Sequence, residues 1–409
     1  VTRIDPDRLA GILADVDKAT ATGSEQSQQL PPEVYTDPEF FDWEREAIWF
    51  RSWVCVGRAD QVPEPGDYYS IDLMGEPLLV LRDRDGQVQV LSAVCPHRGN
   101  TVATGEGNCG HALRCAYHFW SFDLDGRLIG APEMRDVVDI EVLRGDTRLP
   151  AASVEIWHGF ILANFDPAAE PVGPTLAAAD SELAAYGVGT MRSTRPVKIP
   201  DMPWNWKILQ ENFMEAYHLT YLHQGSHDFA PSDLTSVQEF IDGENVIIRS
   251  AGFLKMDGSL TRDGWGWPAV FPILDGLSDE QRTRVLWVAI LPNMFIGLCP
   301  DMVLSYMMVP KAADRMELWT SYLLPPDRFD DPLIEEKCAE LTAGSTTVVN
   351  QDVMVNTAVQ VNLRSRFTPT GRLSSKERIL GMFHRWLAGR YRSYTPLDLV
   401  PADPEPPGS

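Results

Sequence analysis

Cys95-Pro96-His97 and, after seventeen intervening residues, Cys115-Ala116-Tyr117-His118 form the stretch whose reading decides the fold. Each short segment offers one thiolate and one imidazole. Structural zinc also takes two Cys and two His, but zinc fingers usually group Cys with Cys and His with His. Mixed segments instead let each loop hold both irons of a [2Fe–2S] cluster, one iron on two cysteines and the other on two histidines. Neutral imidazoles remove negative charge and raise the reduction potential above that of an all-cysteine cluster. Such ligands imply a one-electron relay. The flanks read as strands: Asp85-Gly86 is a hairpin signal, Val88, Val90 and Val94 alternate into the first loop, and Phe122 to Gly126 reads as a strand and turn after the second.

With 409 residues the chain has room for two or more domains and a large buried core. Its 44% apolar and 23% charged content is ordinary for a globular protein. Six cysteines in this length do not make a disulfide scaffold; Cys55, Cys109, Cys299 and Cys338 show no paired spacing. No positively charged, apolar leader opens the sequence, so the expectation is a cytoplasmic protein. The most apolar stretch, residues 285–299, is too short to span a membrane, is interrupted by Pro292 and Asn293, and reads as buried strands. A formal charge of −23 argues against nucleic acid as a partner. Arg98 and Arg114 flank cluster ligands and are either a small basic landing site for an acidic redox partner or solvated surface arginines.

Residues 6–18 carry Leu9, Ile12, Leu13 and Val16 at helical spacing, and a second helical segment is expected at 37–50. These give an N-terminal helical segment over 1–50, followed by the strand-rich cluster domain at 51–165. Asp166-Pro167 to Pro174 makes a boundary rich in Pro, Ala and Gly. In 166–409, strand-like runs at 245–251, 285–291, 301–309 and 315–324 suggest an antiparallel sheet. Helices at about 204–222, 346–365 and 375–391 would cover it. The expected class is α+β.

A second metal-ligand pattern lies in the region 204–223. Glu211, Glu215 and His218 fall on one stripe if the segment is a continuous helix. His223 would then point about 140° away from His218, so the helix must end or distort if both imidazoles are to meet one metal. Asp352 sits among Val348, Val349, Val355 and Val359, expected on the same face, where an isolated carboxylate is costly. Two His and one carboxylate with open positions suit non-haem Fe(II). From spacing alone, a structural His pair and an Asp352 paired with a buried Arg remain open.

The two cluster loops, read as Cys-Pro-His-Arg-Gly and Cys-Ala-Tyr-His-Phe-Trp-Ser-Phe with Gly126 following, resemble the Rieske domain of ring-hydroxylating oxygenases. Many relatives have Gly where Phe119 stands. Asn205-Trp206-Lys207, Glu211-Asn212, Glu215, Tyr217-His218 and His223 are similar to the catalytic helix of their α subunits, and Asp352 with Gln360 resembles a late Asp…Gln segment. The resemblance implies a Rieske [2Fe–2S] cluster on Cys95, His97, Cys115 and His118, and a mononuclear Fe(II) on His218, His223 and Asp352. It implies a catalytic domain of the helix-grip type, with Glu215 bridging the two centres and Asn212 beside the metal. Glu in place of the commoner Asp at the bridge is similar to oxygenases of quaternary ammonium compounds.

The same resemblance implies a terminal oxygenase, fed by a separate NAD(P)H-dependent flavin reductase or ferredoxin and assembled as a homotrimer. It would use O2 on a small organic substrate, aromatic or N-alkylated. A Rieske-type electron carrier is the alternative of a different class, and a metal-dependent hydrolase would not need the cluster. Trp265, Trp267, Phe271, Asn293 and Phe295 are candidates for the pocket wall, with ordinary core packing as the competing reading of each.

Overall fold

The computed structural model describes residues 4–21, 28–223, 230–241, 243–253, 269–368 and 371–394. Among them, the part that carries the two Cys/His loops packs three small antiparallel sheets. The strands are β1 (Val54–Arg58), β2 (Asp67–Leu73), β3 (Glu76–Arg82), β4 (Val88–Ser92), β5 (Glu106–Asn108), β6 (Leu113–Arg114), β7 (Ser121–Phe122), β8 (Leu128–Gly130), β9 (Ser153–Trp157) and β10 (Phe160–Asn164). They order as β4-β3-β2-β5, β6-β7-β8 and β1-β10-β9.

Strand β3 is buried on both faces, and its alternation separates two cores. Leu79 and Leu81 join Cys95, Cys115, Trp120 and Phe122 in a compact core beneath the cluster loops. Leu78 and Val80 face the main core instead, shared with β1, β10 and the second half of the chain. The apolar core therefore runs continuously from the first part of the chain into the second. Asn293 fastens the two, donating to the Cys55 carbonyl (2.8 Å) and accepting from the Cys55 N–H (2.9 Å).

The second half is built on an eight-stranded antiparallel sheet from β11 (Arg192–Ser193), β12 (Val197–Met202), β13 (Thr235–Val237), β14 (Val246–Gly252), β15 (Arg284–Ile290), β16 (Met294–Leu298), β17 (Val303–Ala312) and β18 (Arg315–Leu324). Its order is β11-β18-β17-β16-β15-β14-β13, with β12 also on β18. The apolar stretch at 285–299 forms the hairpin of β15 and β16, every residue of β16 buried. No helix among the described residues is long and apolar enough to cross a membrane.

Helices accompany this sheet: α1 (Pro6–Thr20), α2 (Pro38–Glu44), α3 (Gly173–Ala185), α4 (Trp206–Met214), α5 (Leu219–Leu222), α6 (Ile334–Asn362) and α7 (Arg378–Ser393). Of these, α3, α4 and α7 pack on its strands, α1 on α7 and α6 on α4. Helix α2 continues as one π-helical turn, Arg45–Trp49, so the segment expected at 37–50 is helical but not uniformly α. Helix α6 starts twelve residues before the expected 346.

Two expectations need correction. The segment at 204–222 is two helices, α4 and α5, and Glu215 is the extended residue closing α4 (φ −84°, ψ 160°). Its carboxylate accepts the backbone N–H groups of Tyr217 and His218, a local bond that competes with continued helix. Along α6, Val348, Val349 and Val353 face the interior with Asp352, whereas Val355 and Val359 line an outer groove, Val359 being 42% exposed.

Candidate functional site

The two cluster loops share one conformation. The Gly99 N–H donates to the Cys95 carbonyl (2.9 Å), and the Phe119 N–H donates to the Cys115 carbonyl (3.0 Å). Both donors sit at positive φ, 73° and 59°. These tight turns bury Cys95 and Cys115 while His97 and His118 stand at the outer edge, ring centroids 4.6 Å apart. His97 stacks on Trp120 at 4.7 Å, which fixes its plane. Asn100 donates to the Cys115 sulfur at 3.4 Å. Burial pushes the Cys95 thiol up. Burial also opposes ionisation of Cys115, but the Tyr117 amide and the Asn100 side chain outweigh it and hold that thiol below its ordinary value. Thiols inside and imidazoles outside suit a cluster whose histidine-bound iron faces a redox partner.

The second site is built by α4, α5 and α6. Helix α4 begins at Asn205, whose side chain accepts from the Lys207 N–H (3.0 Å). The Asn205 N–H donates to Gln360 Oε1 (2.8 Å), which sets the height of α6 against α4. Lys207 is fully buried against Glu44, with Nζ 2.9 and 2.8 Å from the two carboxylate oxygens. Glu44 also accepts from Trp206 Nε1 (2.9 Å) and from the Tyr391 hydroxyl. Glu211 accepts from the Tyr35 hydroxyl (2.5 Å) and contacts His384 Nε2 (2.9 Å). The Trp-Lys-x-x-x-Glu pattern thus anchors α4 to the N-terminal segment and α7.

The break at Glu215 turns His218 and His223 toward Asp352. Nε2 of His223 lies 3.0 Å, and Nε2 of His218 3.8 Å, from Asp352 Oδ1. One donor atom from each of the three lies within 4.8 Å of the others. Asn212 Nδ2 donates to the same Asp352 oxygen at 3.3 Å. The remaining ring nitrogens are held from behind, Nδ1 of His218 by Glu215 and Nδ1 of His223 by Gln351 Oε1 (2.7 Å). Oxygen acceptors on both Nδ1 atoms leave the Nε2 lone pairs free for a metal, so the donor set fits a divalent iron. Burial draws His223 down, but the Asp352 carboxylate and Gln351 outweigh it and raise it above the ordinary imidazole value.

A cavity of about 240 Å³ opens over these residues. Its wall includes Trp204, Phe213, Trp287, Tyr306 and Arg249. Phe213 meets Trp287 edge-on (centroids 4.9 Å) and Tyr306 at 5.1 Å. Arg249 is 4% exposed, and burial draws its guanidinium down to about 10, with Glu215 opposing the shift. A larger groove of about 660 Å³, between Glu106 and Trp319, holds none of the metal-donor residues.

The pocket candidates fare differently. Trp265 and Trp267 lie outside the described residues. Phe271 is buried in a separate apolar cluster with Phe253 and Cys299, its N–H bonded to Asp301. Asn293 serves the bonds to Cys55, and Phe295 stacks behind Phe213 at 4.4 Å as a second layer. None of the last three lines the cavity. Phe213, Trp287, Tyr306 and Arg249 were not among the sequence candidates. Only Arg249 left a signal, as a charge inside the apolar run Val246-Ile247-Ile248.

A model of the ring-hydroxylating α subunit catalytic domain matches residues 189–393, and one of the Rieske [2Fe–2S] domain matches 52–144. The oxygenase subunit of carnitine monooxygenase from Acinetobacter baumannii is 30% identical over 247 residues, 58% of this chain and 66% of that protein. The match therefore spans just under two thirds of that relative's length. Chloroplastic choline monooxygenase of Arabidopsis thaliana is 25% identical over 88% of this chain and 82% of its own. The solved structure of a quaternary ammonium Rieske monooxygenase superposes with a TM-score of 0.77 at 21% identity, covering 96% of this chain and all of the other. It shows the same fold. Two family models matching successive parts of one chain leave a single assignment: the chain belongs to the Rieske non-haem iron oxygenases as an α subunit of the ring-hydroxylating type, and its cofactors are a Rieske [2Fe–2S] cluster and a mononuclear iron.

Proposed function

We propose that the chain is the terminal component of an O2-dependent hydroxylase or oxidative demethylase acting on a small N-alkylated or aromatic compound. The observation that carries this reading is the convergence of His218, His223 and Asp352 at the floor of an aromatic-walled cavity. A bare electron carrier, the alternative, has no use for that set. When bound, the cluster supplies single electrons and the mononuclear iron supplies the place where O2 is activated.

Within this reading, residues 51–165 are the electron-input part, 166–409 the oxygenating part and 1–50 a brace for the second. Cys95, His97, Cys115 and His118 hold the cluster, and His218, His223 and Asp352 hold the iron. Asn212 orients Asp352. Glu215 has one oxygen on His218 Nδ1 and its other oxygen on backbone amides. It fixes the imidazole plane and forms the last protein link between centres.

The exposed Tyr117 and Phe119 beside His118 suit contact with another copy of the chain. A head-to-tail trimer, with His97 or His118 of one copy facing Glu215 of the next, fits that exposure. Inter-subunit electron transfer is described for the quaternary ammonium monooxygenase of the same fold. Electrons would arrive from a NAD(P)H-dependent flavin reductase or ferredoxin. The carnitine and choline monooxygenase relatives and the Glu-type bridge favour a trimethylammonium substrate, whose cation the faces of Trp287 and Tyr306 can hold.

The test is Glu215→Gln in the reconstituted holoenzyme. Cluster absorbance and one non-cluster iron per chain are expected to persist, while substrate-dependent O2 uptake falls by about a hundredfold or more, the scale of losing a group that orients a metal ligand. Uptake near wild type with full metal content would remove Glu215 from the path. Absence of non-cluster iron in the wild-type protein would favour the carrier.

A further inference from the structure

Arg249 is a buried cation that forms no ion pair among the described residues, Glu215 acting on it only through its charge and not by a bond. On β14 it stands directly opposite Trp287 of β15. Its Nη2 donates to the Phe213 carbonyl (3.3 Å), while Nε and Nη1, both shielded from solvent, find no hydrogen-bond partner among the described residues. It forms no ion pair there, although the other buried cation close to α4, Lys207, is fully matched by Glu44. Leaving guanidinium N–H groups unpaired in an apolar wall is costly, and proteins rarely do so without a reason. The side chain lines the same cavity as His218, His223 and Asp352, and the remaining wall is mainly apolar: Trp204, Leu304, Val349.

We propose that Arg249 is the specificity determinant of this site and that the substrate carries an anionic group, a carboxylate by preference, which pairs with the guanidinium as the side chain turns its unpartnered donors toward the cavity. This rests on reading the cavity as the substrate site of the oxygenase and adds the charge its substrate must bear. A planar guanidinium with donors to spare suits a carboxylate oxygen better than a hydroxyl, because the charge-assisted bond is roughly twice as strong as a neutral one. With the anion fixed on β14, the remainder of the molecule lies along Trp287, Phe213 and Tyr306 toward the metal-donor residues. A trimethylammonium acid or an aromatic acid fits. Choline, which has the cation and lacks the acid, leaves Arg249 unpaired.

The experiment is calorimetric binding to the oxidised holoenzyme without reductant, using two acid and ester pairs: 4-(trimethylammonio)butanoate with its methyl ester, and benzoate with methyl benzoate. One acid is expected to bind at least about tenfold more tightly than its ester, the scale of one bond to a charged group. Arg249→Gln should reduce that ratio to about twofold or less, and Arg249→Lys, which keeps the charge without the fork, should retain an intermediate ratio. Cluster absorbance and iron content check that each variant is assembled, and Arg249→Lys carries the test if Arg249→Gln does not fold. Esters binding as tightly as acids, neither acid binding, or a ratio unchanged in either variant overturns the assignment. Because no turnover is involved, a protein that discriminates through Arg249 yet shows no O2 uptake would refute the oxygenase reading and leave this one standing.

Discussion

Phe119 occupies the left-handed region at φ 59°, where its counterpart in the first cluster loop is Gly99. The Cβ–carbonyl contact there costs a non-glycine residue about 1–2 kcal/mol, and the side chain, 57% exposed, recovers little by packing. Phe119→Gly relieves that strain but widens the unfolded ensemble, so the net effect is a gain of up to about 1 kcal/mol. A raised thermal midpoint with unchanged cluster absorbance is the expected result. A clear fall would show that the phenyl ring contributes more than its exposure suggests, and a loss of activity at unchanged stability would place it at a docking surface. At the same scale, Glu215 and Gln351 decide which nitrogen of each histidine is available to a metal, work that no ligand count reveals.

Between elements, β15 and β16 set the shape of the cavity. Gly297 faces Trp287 across the pair, and a Cβ at position 297 would come 2.5 Å from the indole Cζ3 and 3.0 Å from Cε3. The glycine is therefore the space in which the Trp287 ring lies. Gly297→Ala must push that ring aside, at a cost of about 1–3 kcal/mol for overpacking. Substrate binding is expected to weaken by about tenfold or more, equivalent to about 1.4 kcal/mol, with cluster absorbance intact. Equal affinity in the variant would mean that Trp287 does not shape the pocket. The partner device is Gln360, which accepts from Asn205 and donates to the Tyr35 carbonyl (3.2 Å), locking Asp352 of α6 level with Asn212 of α4.

Across the molecule, the N-terminal segment belongs to the catalytic core. Glu44 and Lys207, both with wholly buried side chains, join the end of α2 to the start of α4. Burial draws the Lys207 ammonium below its ordinary value, with Glu44 opposing the shift. Removing one partner strands the other charge, so Lys207→Met is expected to cost about 3–5 kcal/mol in denaturant unfolding. Pairing it with Glu44→Gln should recover part of the loss, because the two changes share one interaction. Additive losses would show that the pair does not act as a unit.

The sequence by itself made the pattern of Cys95, His97, Cys115 and His118 legible, because ligand chemistry restricts residue type and close spacing restricts geometry. For His218, His223 and Asp352 spacing left other readings open and the family resemblance singled them out, since Asp352 lies 129 residues from His223 and only the fold sets them side by side. The α+β class and the central strands followed from periodicity, since a half-buried strand or helix must repeat its apolar residues. Only the tertiary structure decided the break at Glu215, because a side chain accepting two backbone amides looks in sequence like any helical glutamate. It also moved Asn293 from cavity to core and revealed the wall of Phe213, Trp287, Tyr306 and Arg249. Those four come from α4, β14, β15 and β17, and the sheet's register brings them together. A cavity is defined by what is opposite, and opposition is a property of the folded chain.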